Sequence, residues 1–298
     1  MGHGNFAVSE ARQWRTRCHQ MRVRTESPRC WRSGFCTLDQ EQARDTLKMK
    51  SAAYPAIVVF FACSCFLTSV QGRAGQSKPA LEGLPKALEV HLALSAAPPH
   101  LRARATVYVL DPTKGYVLER KGSNGFTCYV QRTDYKREDF RNDLIVPECQ
   151  DSEGSRTIAP VEFEIERLRI EGKLTPTQLK QEIDRRFQAG VFHSPARSGI
   201  AYMLSPIARL YGGPDSKQTV FMSMPHYMFF APNIKGEDVG AGPPMGPYPY
   251  FVAPGPMGYI ILNVGTSEKA QNNRESQDLL KEACSYRADL CFDDNGDI

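Results

Sequence analysis

A run of alternating methionine and histidine residues is the pattern in this chain that most clearly suggests chemistry. The run reads Met-Ser-Met-Pro-His-Tyr-Met, and its alternate residues are Met222, Met224, His226 and Met228. In an extended strand every second side chain points to the same face, so these four would lie together. Thioether and imidazole groups suit Cu(I), which makes the run a candidate copper site. Alternatively, the methionines fill a half-buried strand that Pro225 bends, and no cofactor is bound.

An acid–base site is a second possibility. Its candidate residues are His193, Tyr202, His226 and Asp238. Groups of these types exchange protons in hydrolases, but their spacing does not show that they meet in space. The sequence has no nucleophile elbow, phosphate-binding loop or HExxH helix, which removes the most easily recognised enzyme classes. A periplasmic or secreted hydrolase that uses a histidine-centred site made by these residues is the alternative functional hypothesis.

A long loop, residues 232–257, offers a third kind of site. It contains seven prolines and five glycines, so its backbone must remain solvated or line a groove. Long ordered loops are often functional. Tyr248, Tyr250 and Phe251 predict an aromatic groove for a glycan or peptide, unless these rings pack the loop onto the sheet.

The cysteines predict disulfide bonds. Four of the nine lie after residue 72, and an even number in an exported chain indicates pairing. Cys128 and Cys149 flank one polar loop, and closing a loop of about 20 residues stabilises a fold by roughly 3 kcal/mol. In an unbroken helix Cys284 and Cys291 would lie about 10.5 Å apart, so they pair only if the helix ends between them.

Periodicity and turn residues predict the elements that position these groups. Helices are expected from about residue 86, at 160–172, 175–190 and 274–287. Strands are expected at 105–110, 116–119, 126–131, 199–204, 219–224, 227–231 and 258–264. Turn signals separate the first three strands, which predicts an antiparallel meander, whereas residues 133–157 look irregular. The stretch 160–172 also fits a strand, but i,i+3 Glu–Arg pairs favour a helix. Thr175 and Gln178 form a capping box.

These elements predict an α+β domain over residues 85–265, followed by a polar C-terminal tail, 266–298. We expect an antiparallel sheet of about five to seven strands packed by two or three helices. The leading functional hypothesis is a soluble ligand-binding or interaction domain. Its ligand, an unknown small molecule, glycan or peptide, would meet a face formed by Tyr202, His226 and the loop 232–257.

The first 74 residues have the character of a leader. The apolar run 52–67 is shorter than the roughly 20 residues of a membrane span and fits a signal peptide from about Met49, cleaved near Gly72 or Ala74. An uncleaved anchor is the alternative, and it would be the only membrane contact. Residues 1–48 are basic and either form an N-terminal arm or reflect a misassigned start at which Met49 is the true first residue.

The charge balance divides the chain at the same place. Residues 1–72 hold ten Lys and Arg against five Asp and Glu, a net charge of +5. The remainder holds 27 against 28, a net charge of −1. A nucleic-acid partner is therefore not expected for the mature domain. Localisation in the periplasm or outside the cell is expected.

Several segments together resemble a family of uncharacterised exported proteins of soil and environmental bacteria. The segments are 94–98 (LSAAP), 105–110 (ATVYVL), 124–128 (NGFTC), 147–149 (PEC), 199–205 (GIAYMLS), 225–232 (PHYMFFAP) and 258–262 (GYIIL). The resemblance implies export but no particular activity. That family pattern lacks the Met222 and Met224 pair, which speaks against the copper hypothesis.

Overall fold

The computed structural model describes residues 81–213, 215–244 and 246–292, all within one compact unit, Gln71–Ile298. The helices are α1 (Lys86–Ser95), α2 (Pro99–Arg102), α3 (Gly154–Thr157), α4 (Ala159–Glu171), α5 (Pro176–Gln188), α6 (Thr266–Glu275) and α7 (Gln277–Tyr286). The strands are β1 (Thr106–Asp111), β2 (Gly115–Arg120), β3 (Thr127–Gln131), β4 (Val146–Gln150), β5 (Ile200–Met203), β6 (Ala208–Tyr211), β7 (Thr219–Met222), β8 (His226–Phe230), β9 (Tyr250–Val252) and β10 (Tyr259–Asn263). Short 3-10 helices span Tyr135–Arg137, Gly236–Val239 and Ala288–Leu290.

Eight strands form one mixed sheet in the order β2-β1-β3-β4-β5-β8-β10-β9, and β6 and β7 form a separate two-stranded sheet. The α+β class is confirmed. The main sheet has more strands than the five to seven predicted, and the described residues form seven α-helices rather than two or three. Strands β4 and β9 lie in segments predicted to be irregular, because their polar or proline-flanked sequences lack clear alternation.

The predicted antiparallel meander of β1, β2 and β3 is wrong. Strand β1 pairs antiparallel with β2 but parallel with β3, so β2 is an edge strand. The link between β2 and β3 runs past the start of β1, where the backbone N–H groups of Ser123 and Asn124 donate to the Arg104 carbonyl. The Asn124 side chain also donates to the Leu101 carbonyl. The residues that suggested a tight turn therefore form a crossover.

Helices pack on both faces of the sheet. On one face, α1 buries Leu88 and Leu92 against β1, β3 and β4. On the other, α4 and α5 bury Ile165 and Ile183 in a second cluster. The ambiguous stretch 160–172 is thus helical, and its buried apolar residues Val161, Ile165 and Leu168 recur at helical spacing. The capping box that begins α5 is confirmed.

The C-terminal segment contributes to the first of these clusters. Helix α7 packs against α1 through buried Leu279 and Ala283. Because α7 ends at Tyr286, the chain turns back and Cys284 pairs with Cys291, which satisfies the predicted condition. Within the segment predicted to be a polar tail, residues 266–292 therefore include a helix packed in the core and a disulfide bond.

The predicted Cys128–Cys149 disulfide is present. The two residues are direct partners on the neighbouring strands β3 and β4, and both are completely buried. Two disulfides in the described residues fit an oxidising compartment.

Two features of the chain bear on whether it crosses a membrane: its helices and the apolar run 52–67. None of the helices in the described residues has the length and apolarity needed to cross a membrane. The apolar run 52–67, and with it the predicted signal peptide, lies outside the described residues. The signal peptide therefore stays a prediction.

Candidate functional site

Helices α1 and α7 cover only half of their face of the sheet. Helix α1 packs over β1, β3 and β4, α7 packs against α1, and across the main sheet the cluster that they bury reaches as far as Tyr202 on β5. The other half of the sheet is made by β5, β8, β10 and β9. On the same face of these four strands the side chains are half-buried or exposed rather than buried.

Seven side chains make up this uncovered surface, which we name the open face. One row crosses all four strands and consists of Ile200, Phe229, Ile260 and Phe251, each the direct partner of the next. A second row consists of Tyr202, Tyr227 and Leu262. None of the seven is charged, and Phe229 is 40% exposed. The open face is therefore a continuous apolar and aromatic surface.

The reverse side of the same strands is also apolar but is fully covered. Ala201, Met203, Met228, Phe230 and Ile261 alternate with the open-face residues and are buried in the cluster that also contains residues of α4 and α5. Strands that are apolar on both faces are typical of sheets packed on both sides, whereas a solvated face is normally polar. The open face thus has the composition of a buried surface. Among the described residues, however, nothing covers it as α1 covers the other half of the sheet.

The aromatic rings join the open face to the neighbouring core. The Tyr202 ring lies 5.9 Å from the Tyr227 ring at 77°, and 5.9 Å from the Phe126 ring. Burial raises the pKa of the Tyr202 hydroxyl, with smaller contributions from Tyr227 and Asp151. The hydroxyl therefore stays protonated and can donate a hydrogen bond to a ligand.

The proline-rich loop borders the open face at the β9 edge. A Cβ atom added to Gly236 would lie 3.3 Å from the Phe251 Cβ, so the loop backbone passes directly beside this ring. The three aromatic residues of the loop are dispersed: Tyr248 is 70% exposed, Phe251 belongs to the open face, and Tyr250 is buried on the reverse side. Tyr248, Tyr250 and Phe251 therefore do not line one groove.

The residues proposed for acid–base chemistry occupy separate places. Tyr202 and Met203 are consecutive in β5, so their side chains point to opposite faces of the sheet. Tyr202 pairs with Tyr227 on the open face, whereas Met203 pairs with His226, which is buried on the reverse side. His193 is exposed in the loop after α5. The Asp238 carboxylate accepts the Lys235 N–H at 3.0 Å within its own turn and is exposed. One sheet face therefore cannot present Tyr202 and His226 to the same substrate.

The prediction that four alternate residues share one strand face is wrong. Strand β7 ends at Met222 in the small sheet, and β8 begins at His226 in the main sheet. Pro225 separates them because it has no N–H to give to a ladder, although its carbonyl accepts the Val264 N–H at 3.1 Å. Among the described residues, His, Cys, Asp and Glu form no group of three that could hold a metal ion.

A cluster of buried acids beneath α4 was not predicted. Glu148 on β4 is 7% exposed, and its carboxylate accepts hydrogen bonds from the Tyr129 hydroxyl at 3.2 Å and the Gln150 amide at 3.0 Å. Glu162 accepts the Gln131 amide at 3.0 Å. Burial raises the pKa of Glu148 to about 7 and holds that of Glu162 well above its ordinary range.

These acids have the shifted pKa values of catalytic groups but lack access to a substrate. Glu162 and Glu166 on α4 are 4% and 1% exposed, and Glu89, which lies on α1, is 1% exposed. The Arg169 guanidinium, itself buried, donates to the Arg132 carbonyl and the Thr133 hydroxyl. The cluster is therefore an internal polar network of the fold. Its signal in the sequence was the glutamates of α4 that fall on the helix side facing the sheet.

Comparisons with known protein families, with curated proteins and with solved structures found no match for this chain. The resemblance to exported bacterial proteins stays a prediction. The function has to be inferred from the open face and its surroundings.

Proposed function

We propose that this protein is an extracytoplasmic interaction domain whose open face binds an amphipathic helix of a partner protein. The observation that carries the proposal is the uncovered half of the sheet, where two cross-strand rows of apolar side chains remain in contact with solvent. Contiguous apolar surfaces of this kind mark interaction sites on soluble proteins.

The hydrophobic effect supplies the driving force for binding. Removing apolar surface from water is favourable by roughly 25 cal/mol per Å². Phe229 at the centre of the first row is 40% exposed, and its neighbours Ile200, Ile260 and Tyr227 are half-buried. Aromatic anchors surrounded by aliphatic contacts are the usual energetic centre of a protein interface. The absence of charge among the seven residues requires an apolar surface on the partner.

The covered half of the sheet indicates what form that partner takes. There a ten-residue helix, α1, lies across three strands and buries Leu88 and Leu92. The first row of the open face spans four strands, about 14 Å at the usual strand spacing. A helix of ten residues is about 15 Å long. One amphipathic helix would therefore complete the helical layer that α1 and α7 begin.

Photo-crosslinking tests this proposal. Benzoylphenylalanine would replace Phe229 in the full chain, produced in cells that naturally make the protein. The matched control is Leu118, which is 51% exposed on the edge strand β2, away from the open face. We expect a crosslink at position 229 to one segment whose apolar residues recur every three or four positions, and none to that segment at position 118.

The outcomes separate the possible occupants. A crosslinked dimer of this chain would replace the partner protein by a second copy and overturn the proposed occupant. Crosslinks at 229 to a glycan or a small molecule, or crosslinks no more specific than those at 118, would also overturn it. The additional change Ile260→Asp is expected to abolish the specific crosslink, because it places an unpaired charge within the interface.

A further inference from the structure

A small cavity lies on the reverse side of β5 and β8, away from the open face. Its walls are formed by Pro147, Met203, Ser205, Ala208, Leu210, Met224 and His226. The centre of a water-sized sphere has about 10 Å³ in which to move, which is room for a single small occupant. Met203 and His226 are buried, and Met224 is half-buried.

Three of the residues that line the cavity carry atoms that can bind a soft metal ion. Met203 and His226 are direct cross-strand partners, so their side chains project to the same face at short range. Met224 precedes His226 by two residues and lines the same cavity. Two methionines and one histidine therefore line a space for one ion.

The histidine is oriented as a ligand. Its Nδ1 lies 2.7 Å from the Met224 carbonyl oxygen, which can only accept, so Nδ1 carries the proton and Nε2 keeps its lone pair in the neutral ring. A histidine that donates its other ring N–H to a backbone carbonyl is the usual arrangement at metal sites.

We propose that Met203, Met224 and His226 bind one Cu(I) ion. Thioether sulfur is a soft ligand that selects Cu(I), and imidazole is compatible with it. The set differs from the four residues predicted from the sequence, since Met203 on β5 replaces both Met222 and Met228. The site uses the opposite side of the sheet from the open face, so it stands independently of the proposed interaction.

Tyr250 lies beside one of the three proposed ligands. Its hydroxyl lies 3.9 Å from the Met224 sulfur and 3.4 Å from the Asn263 side-chain oxygen. The hydroxyl has one proton to donate, and whichever of the two atoms accepts it, the sulfur keeps a lone pair for a metal.

Anaerobic titration of the purified full chain with Cu(I), in competition with bicinchoninate, tests the site. We expect one Cu(I) per chain and an X-ray absorption spectrum with sulfur and nitrogen neighbours. The change Met203→Leu with Met224→Leu is expected to weaken binding by more than about 100-fold, because it removes two ligands and even an outer-shell change costs about 10- to 100-fold. Leucine conserves the volume of methionine, so the fold should persist.

The matched control is Met222→Leu with Met228→Leu, which removes two buried methionines outside the cavity. Its Cu(I) affinity is expected to remain within about two-fold of the unchanged protein, a difference below 0.5 kcal/mol. If the double cavity variant fails to fold, Met224→Leu alone, at a half-buried position, serves the same purpose. Absence of binding, equal losses in both pairs, or a spectrum without sulfur neighbours would each overturn the site.

Discussion

The two halves of the sheet carry similar side chains towards α1 but differ in what covers them. In one half Val107, Val109 and Val130 lie beneath α1 and are at most 5% exposed. In the other half Tyr227 and Phe229, equally apolar in character, face solvent. The difference shows that, within the part of the chain that the structure describes, helices cover only part of the apolar surface of the sheet. The uncovered part is where a partner would complete the fold.

The largest expected effect comes from truncating the covered half. Leu92→Ala removes a completely buried side chain and is expected to lower the free energy of unfolding by about 2–5 kcal/mol. Phe229→Ala on the open face is expected to cost roughly half as much or less, because part of that ring is already in water. Urea unfolding measures both, and equal losses would remove the contrast between the halves.

The disulfides give the next largest effect. Replacing Cys128 and Cys149 with alanine opens a loop of 21 residues and is expected to cost about 3 kcal/mol in the chain-entropy treatment. The same change at Cys284 and Cys291 opens a loop of 7 residues and should cost about 2 kcal/mol. Unfolding midpoints measured without reductant compare the two, and a larger loss from the shorter loop would contradict this ordering.

The pH dependence of stability tests the covered half of the sheet separately, because the buried carboxyl groups of Glu89 and Glu148 lie there. Burial raises the pKa of Glu89 and of Glu148 from 4.5 to about 7. The unfolded chain loses these protons at lower pH than the folded chain does. Stability is therefore expected to fall as the pH rises from about 4.5 to about 7 and then to level off.

Glu148→Gln tests the source of that fall. The neutral amide cannot ionise, so the variant is expected to lose roughly 1–3 kcal/mol less than the unchanged protein between pH 5 and pH 8. Glu237→Gln, at a side chain that is 76% exposed, is the control and should leave the slope unchanged. A protein that is more stable at pH 8 than at pH 5 would contradict the assignment of these carboxyls.

How far the sequence predicted this fold depends on the range of the interactions. The capping box of Thr175 and Gln178 and the helix that follows are local, and both were predicted correctly. Strand β4 was missed because Glu148 and Gln150 are polar residues, which do not suggest a buried strand. They can be buried because they hydrogen-bond to each other and to the Tyr129 hydroxyl. The parallel pairing of β1 with β3 was missed because the crossover is held by contacts with Arg104.

The candidate sites show the same division. The sequence pointed to Tyr202, His226 and Met224. It could not show that Tyr202 lies on the open face, whereas His226 and Met224 lie at the cavity on the reverse side. That assignment depends on the break around Pro225, which separates β7 of the small sheet from β8 of the main sheet. The open face was not predicted, since strands apolar on both sides indicate full burial unless the positions of α1 and α7 are known.

The smallest expected effect on stability comes from a polar change on the open face. Phe229→Asn removes the same partly solvated ring as Phe229→Ala and is expected to lower the free energy of unfolding by about the same amount, roughly 1–2 kcal/mol. It should also reduce the fluorescence of a dye that binds exposed apolar surface, such as anilinonaphthalene sulfonate. Leu118→Asn removes an exposed but isolated leucine, and its effect on the dye should be slight. Equal dye signals from both variants would show that the open face is not a continuous apolar surface.

Side-chain footprinting with hydroxyl radicals tests the central claim most directly. In the purified protein Tyr227 and Phe229 should be oxidised, whereas the buried rings of Tyr129 and Tyr250 should not. In cells that naturally make the protein, the first two should become protected while exposed Tyr248 remains reactive. Protection of Tyr227 and Phe229 already in the purified monomer, or their full reactivity in the cell, would contradict a role for the open face in binding a partner.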